Sequence, residues 1–218
     1  MSLLRRSLGT TTDTERCMAL QAASLLLGFP DEELLSRLPL LDAVARRLPG
    51  PAGAPLTRLV EHLGRTDLHL AQCAYVDTFD LRRRCCLFLT YHAYGDTRKR
   101  GMALLKFTHA YKAAGWRLVP DELPDHLAVV CEFAATGSLA AGLGLLAEHR
   151  AGLELTRLAL AESGSPWLDA VDLVRAVLPE VAPRDLDRAM ELARTGPPEE
   201  EVGLEPFGPP EQMGSARR

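Results

Sequence analysis

The sequence predicts an all-α protein: a single bundle of about eight to ten helices over residues 12–194, preceded by a flexible N-terminus at 1–11 and followed by a disordered Pro/Glu-rich tail at 195–218. Three observations carry this. Ala and Leu dominate the composition, which favours helix. No long stretch alternates polar and apolar residues as a half-buried strand would. Gly and Pro fall where they would punctuate helices. The chain has 218 residues, 47% of them hydrophobic, enough to bury a sizeable core as one domain.

The elements follow in order. Thr12-x-x-Glu15 is a capping-box pattern, so the first helix starts at Thr12. Cys17, Leu20, Ala23, Ser24 and Leu27 then recur at helical spacing, and Gly28 ends the helix. Pro30 restarts the chain, with Asp31, Glu32 and Glu33 at the favourable positive end of a second helix running to about Arg47. The Pro/Gly-rich stretch 49–55 is a loop, and Pro55 opens a third helix ending near Gly64. From Thr66 to Tyr94 there is neither Gly nor Pro, which predicts one long helix or two end to end. Gly95 is a stop, and Asp96 is the expected N-cap of a helix reaching Ala114. After a loop at 116–123, helices are expected to Thr136, over Leu139–Ala161, around Pro166–Leu178 and around Pro183–Arg194.

Composition excludes several functions. The net charge is −4 and the pI about 5.9, against a dedicated nucleic-acid binder, although Arg82–Arg84 and Arg98–Arg100 are locally basic. The five cysteines include no C-x-x-C, so free thiols in a reducing compartment are expected. No apolar run approaches the ~20 residues of a membrane span, so a cytoplasmic protein without membrane insertion is expected. Neither a nucleophile beside a base nor a phosphate-binding Gly loop is evident. Vicinal Cys85 and Cys86 would point about 100° apart on a helix, and His92, His109 and His126 lack ligand spacing. The sequence therefore points to no enzyme, no metal site and no cofactor.

The segment 75–133 holds most of the aromatic residues and the densest positive charge. Tyr75 and Phe79 share a helix face, as do Tyr91 and Tyr94, in the core or at an interface. Asp80 with Arg83 and Arg84 forms either a solvated face or the rim of a groove. Asp96 accounts for itself as a cap, but Arg98, Lys99 and Arg100 open a helix at the positive end of its dipole. Glu122, Pro124, Asp125 and His126 form a rigid loop-to-helix junction suited to recognition, so replacing Asp125 and His126 together is expected to leave the melting temperature nearly unchanged.

The ordered set Tyr75-Val76-Asp77-Thr78-Phe79-Asp80, Leu89-Thr90-Tyr91, Gly95-Asp96-Thr97-Arg98, Arg100-Gly101 and Glu122-Leu123-Pro124-Asp125-His126-Leu127 resembles the NarJ-type assembly chaperones of respiratory nitrate reductase, a branch of the TorD-like redox-enzyme chaperones. These motifs lie within 63 of the 218 residues, and the turn Leu26–Asp31 is similar to the family's first inter-helix junction. Cys85-Cys86 departs from the small polar residues expected there.

The resemblance implies a TorD-like helical bundle and a non-enzymatic chaperone. Its partner would be the apo catalytic (alpha) subunit of nitrate reductase, bound partly through that subunit's N-terminal peptide and held until molybdenum cofactor insertion. Proteins of molybdenum cofactor biosynthesis would be further partners. Tyr75, Phe79, Asp80, Arg83, Tyr91, Asp96, Arg98, Glu122, Pro124, Asp125 and His126 are the candidate client-binding residues. The alternatives are a chaperone for another molybdoenzyme and, from a different class, a helical nucleic-acid-binding regulator.

Overall fold

The computed structural model describes residues 11–119 and 122–178, together with Glu191. Among them are ten α-helices and two 3-10 turns, with a single isolated β-bridge. The expected flexible start, the helix expected around 183–194 and the tail at 195–218 lie largely or wholly outside the described residues.

Helix α1 spans Asp13–Leu26. Its capping box forms as the sequence predicts: the Glu15 amide donates to Thr12 Oγ1 at 3.2 Å and the Thr12 amide to Glu15 Oε2 at 2.7 Å. Its buried face is built largely from Ala19, Ala22 and Ala23, and small side chains let it approach a neighbour closely. That neighbour is α7, Leu127–Thr136, whose Val129, Val130, Cys131, Phe133 and Ala134 are all buried. A helix apolar on nearly every face belongs at the centre of a bundle. Helix α2, Glu32–Arg47, is capped by Asp31 and packs on α3, Gly53–Arg65, whose Leu56, Leu59, Val60 and Leu63 face inward. The last described helix, α10, Leu168–Val177, covers α1 and α3.

The expected helix over 66–94 is corrected. Helix α4 covers only Leu68–Phe79, a 3-10 turn follows at Arg83–Cys85, and the next helix is the single turn α5, Tyr91–Tyr94. The reason is a period of two: Cys85, Leu87 and Leu89 are buried while Cys86 and Phe88 are less so. Extended backbone places all three on one side, which a helix cannot do. The segment then pairs with residues 125–127, the Leu127 amide donating to Leu87 O at 2.8 Å and the Leu89 amide to Asp125 O at 3.0 Å.

Two further boundaries differ. The helix expected over Leu139–Ala161 is two, α8 at Leu139–Glu148 and α9 at Arg150–Glu162. They break at His149, whose Nδ1 lies 3.0 Å from Leu145 O and competes for that carbonyl with the helix backbone. Helix α6 spans Arg98–Ala113 with Thr97, not Asp96, at its N-cap; the Asp96 side chain instead accepts from Arg100 at 3.3 Å. Gly95 does stop the preceding turn, at a φ of 56° that other residues rarely adopt.

Helices α7 and α8 cross where Gly142 meets Ala134: a methyl on Gly142 would fall 2.3 Å from the Ala134 Cβ. Gly144, in the same helix, faces open space. Gly142→Ala should therefore lower stability by about 2 kcal/mol through overpacking, while Gly144→Ala should raise it by roughly 0.5–1 kcal/mol. Urea unfolding of the two variants checks the opposite signs.

Candidate functional site

A groove of about 280 Å³ opens between the α1–α2 junction and the start of α7. One rim is the turn Gly28–Asp31 with the first turn of α2; the other is Glu122 and His126 with Ala128, Val129 and Glu132 of α7. Leu25, Phe29 and Val129 supply apolar lining, and Phe29 keeps 51% of its surface exposed. Asp31, Glu33, Glu122 and Glu132 supply four carboxylates, against which stands one guanidinium, Arg37, already paired with Glu33. Burial, and then the nearby Glu132 carboxylate, push the Glu122 carboxyl above its ordinary value. The groove is therefore acidic with an apolar floor, complementary to a basic peptide carrying a few apolar anchors.

Both rims are fixed from behind. At the first, the Tyr75 hydroxyl donates to Leu27 O at 2.8 Å, the Trp167 indole to Leu26 O at 3.1 Å and the Gln72 amide to Pro30 O at 2.9 Å. The first two bonds occupy carbonyls at the end of α1 that its own backbone leaves open, and the third holds the turn that follows. Around them Phe29 and Trp167 pack edge-on to Tyr75, Trp167 edge-on to Phe79, and Phe79 tilted against Tyr75, with centroids 4.7 to 5.8 Å apart.

At the second rim the anchor is Asp125, which is fully buried. It accepts from the Thr90 amide at 3.1 Å and the Thr90 hydroxyl at 2.5 Å, and Arg100 Nη2 stands 3.7 Å from the same oxygen. Arg100 Nε also donates to Thr90 Oγ1 at 3.2 Å, and its guanidinium lies 5.3 Å from the centre of the Phe88 ring. The Tyr111 hydroxyl donates to Pro124 O. His126 caps α7, its Nδ1 accepting from the Ala128 amide at 3.3 Å, so its proton sits on Nε2.

The candidate residues thus separate. Glu122 and His126 line the groove; Tyr75, Phe79, Pro124 and Asp125 hold it from inside the protein or at its edge. Asp80, Arg83, Tyr91, Asp96 and Arg98 do not line it. Arg83 instead borders a second cavity with Arg82 and Arg84, where Arg84 meets Glu162 at 2.9 Å. Sequence reasoning missed Phe29, Asp31, Glu33 and Glu132. The available signal was Phe29, a large aromatic in a turn where no helix pattern requires one. Among the described residues no cluster of His, Cys, Asp and Glu could hold a metal ion, and no helix is long and apolar enough to cross a membrane. Burial raises the thiols of Cys85 and Cys86.

The family model for the nitrate reductase delta subunit matches residues 45–172, more than half of the chain and including the whole second rim. The chain belongs to the nitrate reductase delta subunit family. It is 40% identical over 154 residues to the nitrate reductase-like protein NarX of Mycobacterium tuberculosis, covering 71% of this chain and 23% of that protein's length. It is 33% identical over 115 residues to the nitrate reductase molybdenum cofactor assembly chaperone NarJ of Escherichia coli, about half of each chain, and 26% identical over 176 residues to a Bacillus subtilis protein of the same name, 94% of whose length is covered. The fold matches the crystal structure of an Archaeoglobus fulgidus protein described as a redox enzyme maturation protein, with a TM-score of 0.57 at 20% identity over 79% of this chain and 98% of that one. The family match and the relatives named NarJ bear out the expected resemblance to NarJ-type proteins, and the fold match bears out the all-α expectation.

The expectation that the Asp125–His126 pair can be replaced without effect on stability is reversed by the burial of Asp125. Asp125→Ala takes from Thr90 its buried acceptor and leaves the half-buried Arg100 with only the exposed Asp96 carboxylate; it should cost about 3 kcal/mol, read as a lowered urea midpoint, and an unchanged midpoint would remove its structural role. A pH dependence follows as well. Burial holds His92, His126 and His149 below the ordinary histidine value. The unfolded chain then binds more protons below about pH 6.5. Their contribution is complete above that pH and is lost as pH falls through the lowered folded-state values. The urea midpoint should drop on going from pH 7 towards pH 5, and His149→Gln should flatten that slope.

Proposed function

We propose that this protein is a system-specific chaperone for the apo catalytic (alpha) subunit of respiratory nitrate reductase. It binds that subunit partly through its N-terminal peptide in the cytoplasm, keeps it competent for molybdenum cofactor insertion and assembly, and leaves before the enzyme is complete. The observation that carries this reading is the acidic, apolar-floored groove in a chain of the delta subunit family, whose relatives include proteins named for molybdenum cofactor assembly.

The groove suits reversible capture. An amphipathic segment laid into it places one or two apolar anchors on Phe29 and Val129, while its cations meet Asp31, Glu122 and Glu132. Neutral His126 lends a hydrogen-bonding edge without opposing a cationic ligand. A binder that prefers the open apo form shifts the client towards that form for as long as it stays bound.

The test uses the full chain with a synthetic peptide of the alpha subunit's N-terminus. Phe29→Ala and Glu122→Lys should each weaken binding about tenfold, equal to roughly 1.4 kcal/mol, with unchanged melting. Asp80→Ala, away from the groove, should leave binding as it is. Equal binding by all three variants would overturn the groove as the peptide site. Recovery of a different molybdoenzyme, and no nitrate reductase, on affinity purification from nitrate-respiring cells would replace the client.

A further inference from the structure

Helix α6 carries a feature that the groove does not use. From Arg98 to Arg117 the sequence contains six Lys and Arg residues and no Asp or Glu, in a protein of net charge −4. Three of those cations open the helix at the unfavourable end of its dipole. Arg100 is accounted for by Asp96 and Asp125, and Lys106 by Glu148. Lys99, Lys112 and Arg117 are exposed and form no ion pair among the described residues.

The helix is also only half packed. Phe107 and Tyr111 are its buried residues. Opposite them Arg98, Met102, Leu105, His109 and Lys112 follow one another at steps of four, three, four and three, which draws a single stripe along the outer face. Met102 is 71% exposed and Leu105 45%. The stripe has two apolar side chains at its centre, cations at both ends and Lys99 and Lys106 along one flank.

We propose that this face of α6 docks on an anionic lipid surface, with the helix lying parallel to the bilayer. The chemistry selects lipid over the other anions. A nucleic-acid backbone would pair with the cations but leave Met102 and Leu105 against phosphate. A partner helix laid along this face would bury the unpaired Lys112 ammonium beside the two apolar side chains, and a buried unpaired charge is costly. A lipid headgroup layer accepts both: Met102 and Leu105 enter the acyl boundary, and the lysines reach the phosphates by extending their stems. With so few cations and two apolar residues the attachment is peripheral and reversible, and it weakens as salt rises. It does not depend on what the acidic groove binds.

The experiment sediments the full chain with vesicles of phosphatidylcholine alone and of phosphatidylcholine mixed with phosphatidylglycerol. The protein should partition onto the mixed vesicles at low salt and not onto the neutral ones. Lys99→Glu with Lys112→Glu, and separately Met102→Glu with Leu105→Glu, should each reduce partitioning at least tenfold while the thermal melt stays cooperative, since all four side chains are exposed. Groove variants such as Glu122→Lys should not reduce it, which separates this proposal from the client reading. Partitioning that survives both α6 variants but falls with Arg82→Glu and Arg83→Glu would assign the contact to the arginine turn and overturn the proposal. Absence of partitioning at low salt would overturn it too.

Discussion

The buried carboxylate of Asp125 is the constraint from which the working half of this protein is built. A charge removed from water is tolerated only where partners replace the lost solvation. Here they come from Thr90 and Arg100, 35 and 25 positions earlier in the chain. To reach it, the backbone at 86–90 must leave the helix and run extended beside 122–127, which creates the Phe88–His126 bridge. Arg100 in turn is seated by the Phe88 ring and by Thr90. One ionic contact therefore joins the arginine of α6, the extended segment and the N-terminus of α7. Losing several kcal/mol here matters in a fold whose total stability is only about 5–15 kcal/mol.

A second anchor works on uncharged groups. The carbonyls at the end of α1 are received by Tyr75 and Trp167, which are 92 residues apart in sequence but in contact through their rings. One anchor holds the end of α1 and the other the start of α7, and the groove is lined from both. Its polar residues are therefore carried on segments whose positions are already determined, so a ligand need not order them. Preorganisation of this kind raises affinity without enlarging the contact.

Much of this was legible in the sequence, and the failures share a cause. The Thr12 capping box, the acidic first turn of α2 and the Gly95 stop are local signals, and each formed as expected. The misread places are those where distant contacts override local preference. Residues 80–90 carry no helix breaker, yet they leave the helix because Cys85, Leu87 and Leu89 must all face the core and Thr90 must meet Asp125. His149 ends α8 because its ring takes a backbone carbonyl and packs on Phe107. At the site, Glu122 and His126 were identifiable from charge in a rigid junction. Asp125 looked equivalent to them and is not, because burial is a property of the whole fold. Phe29 and Glu132 were missed because they are 103 residues apart in the sequence.

The distribution of charge turns these details into a division of labour. A net charge of −4 could be spread evenly, yet the carboxylates Asp31, Glu122 and Glu132 gather at the groove while residues 98–117 hold cations alone. Like charges brought together repel, so each gathering is disfavoured unless something else satisfies it. Within the fold only part is satisfied: Arg37 meets Glu33, Glu148 meets Lys106, and Asp96 and Asp125 meet Arg100. Glu122 on one surface, and Lys99, Lys112 and Arg117 on another of opposite sign, face outward. Two such surfaces allow a basic client segment and an anionic surface to be engaged at once without competing, which a uniformly acidic protein could not do.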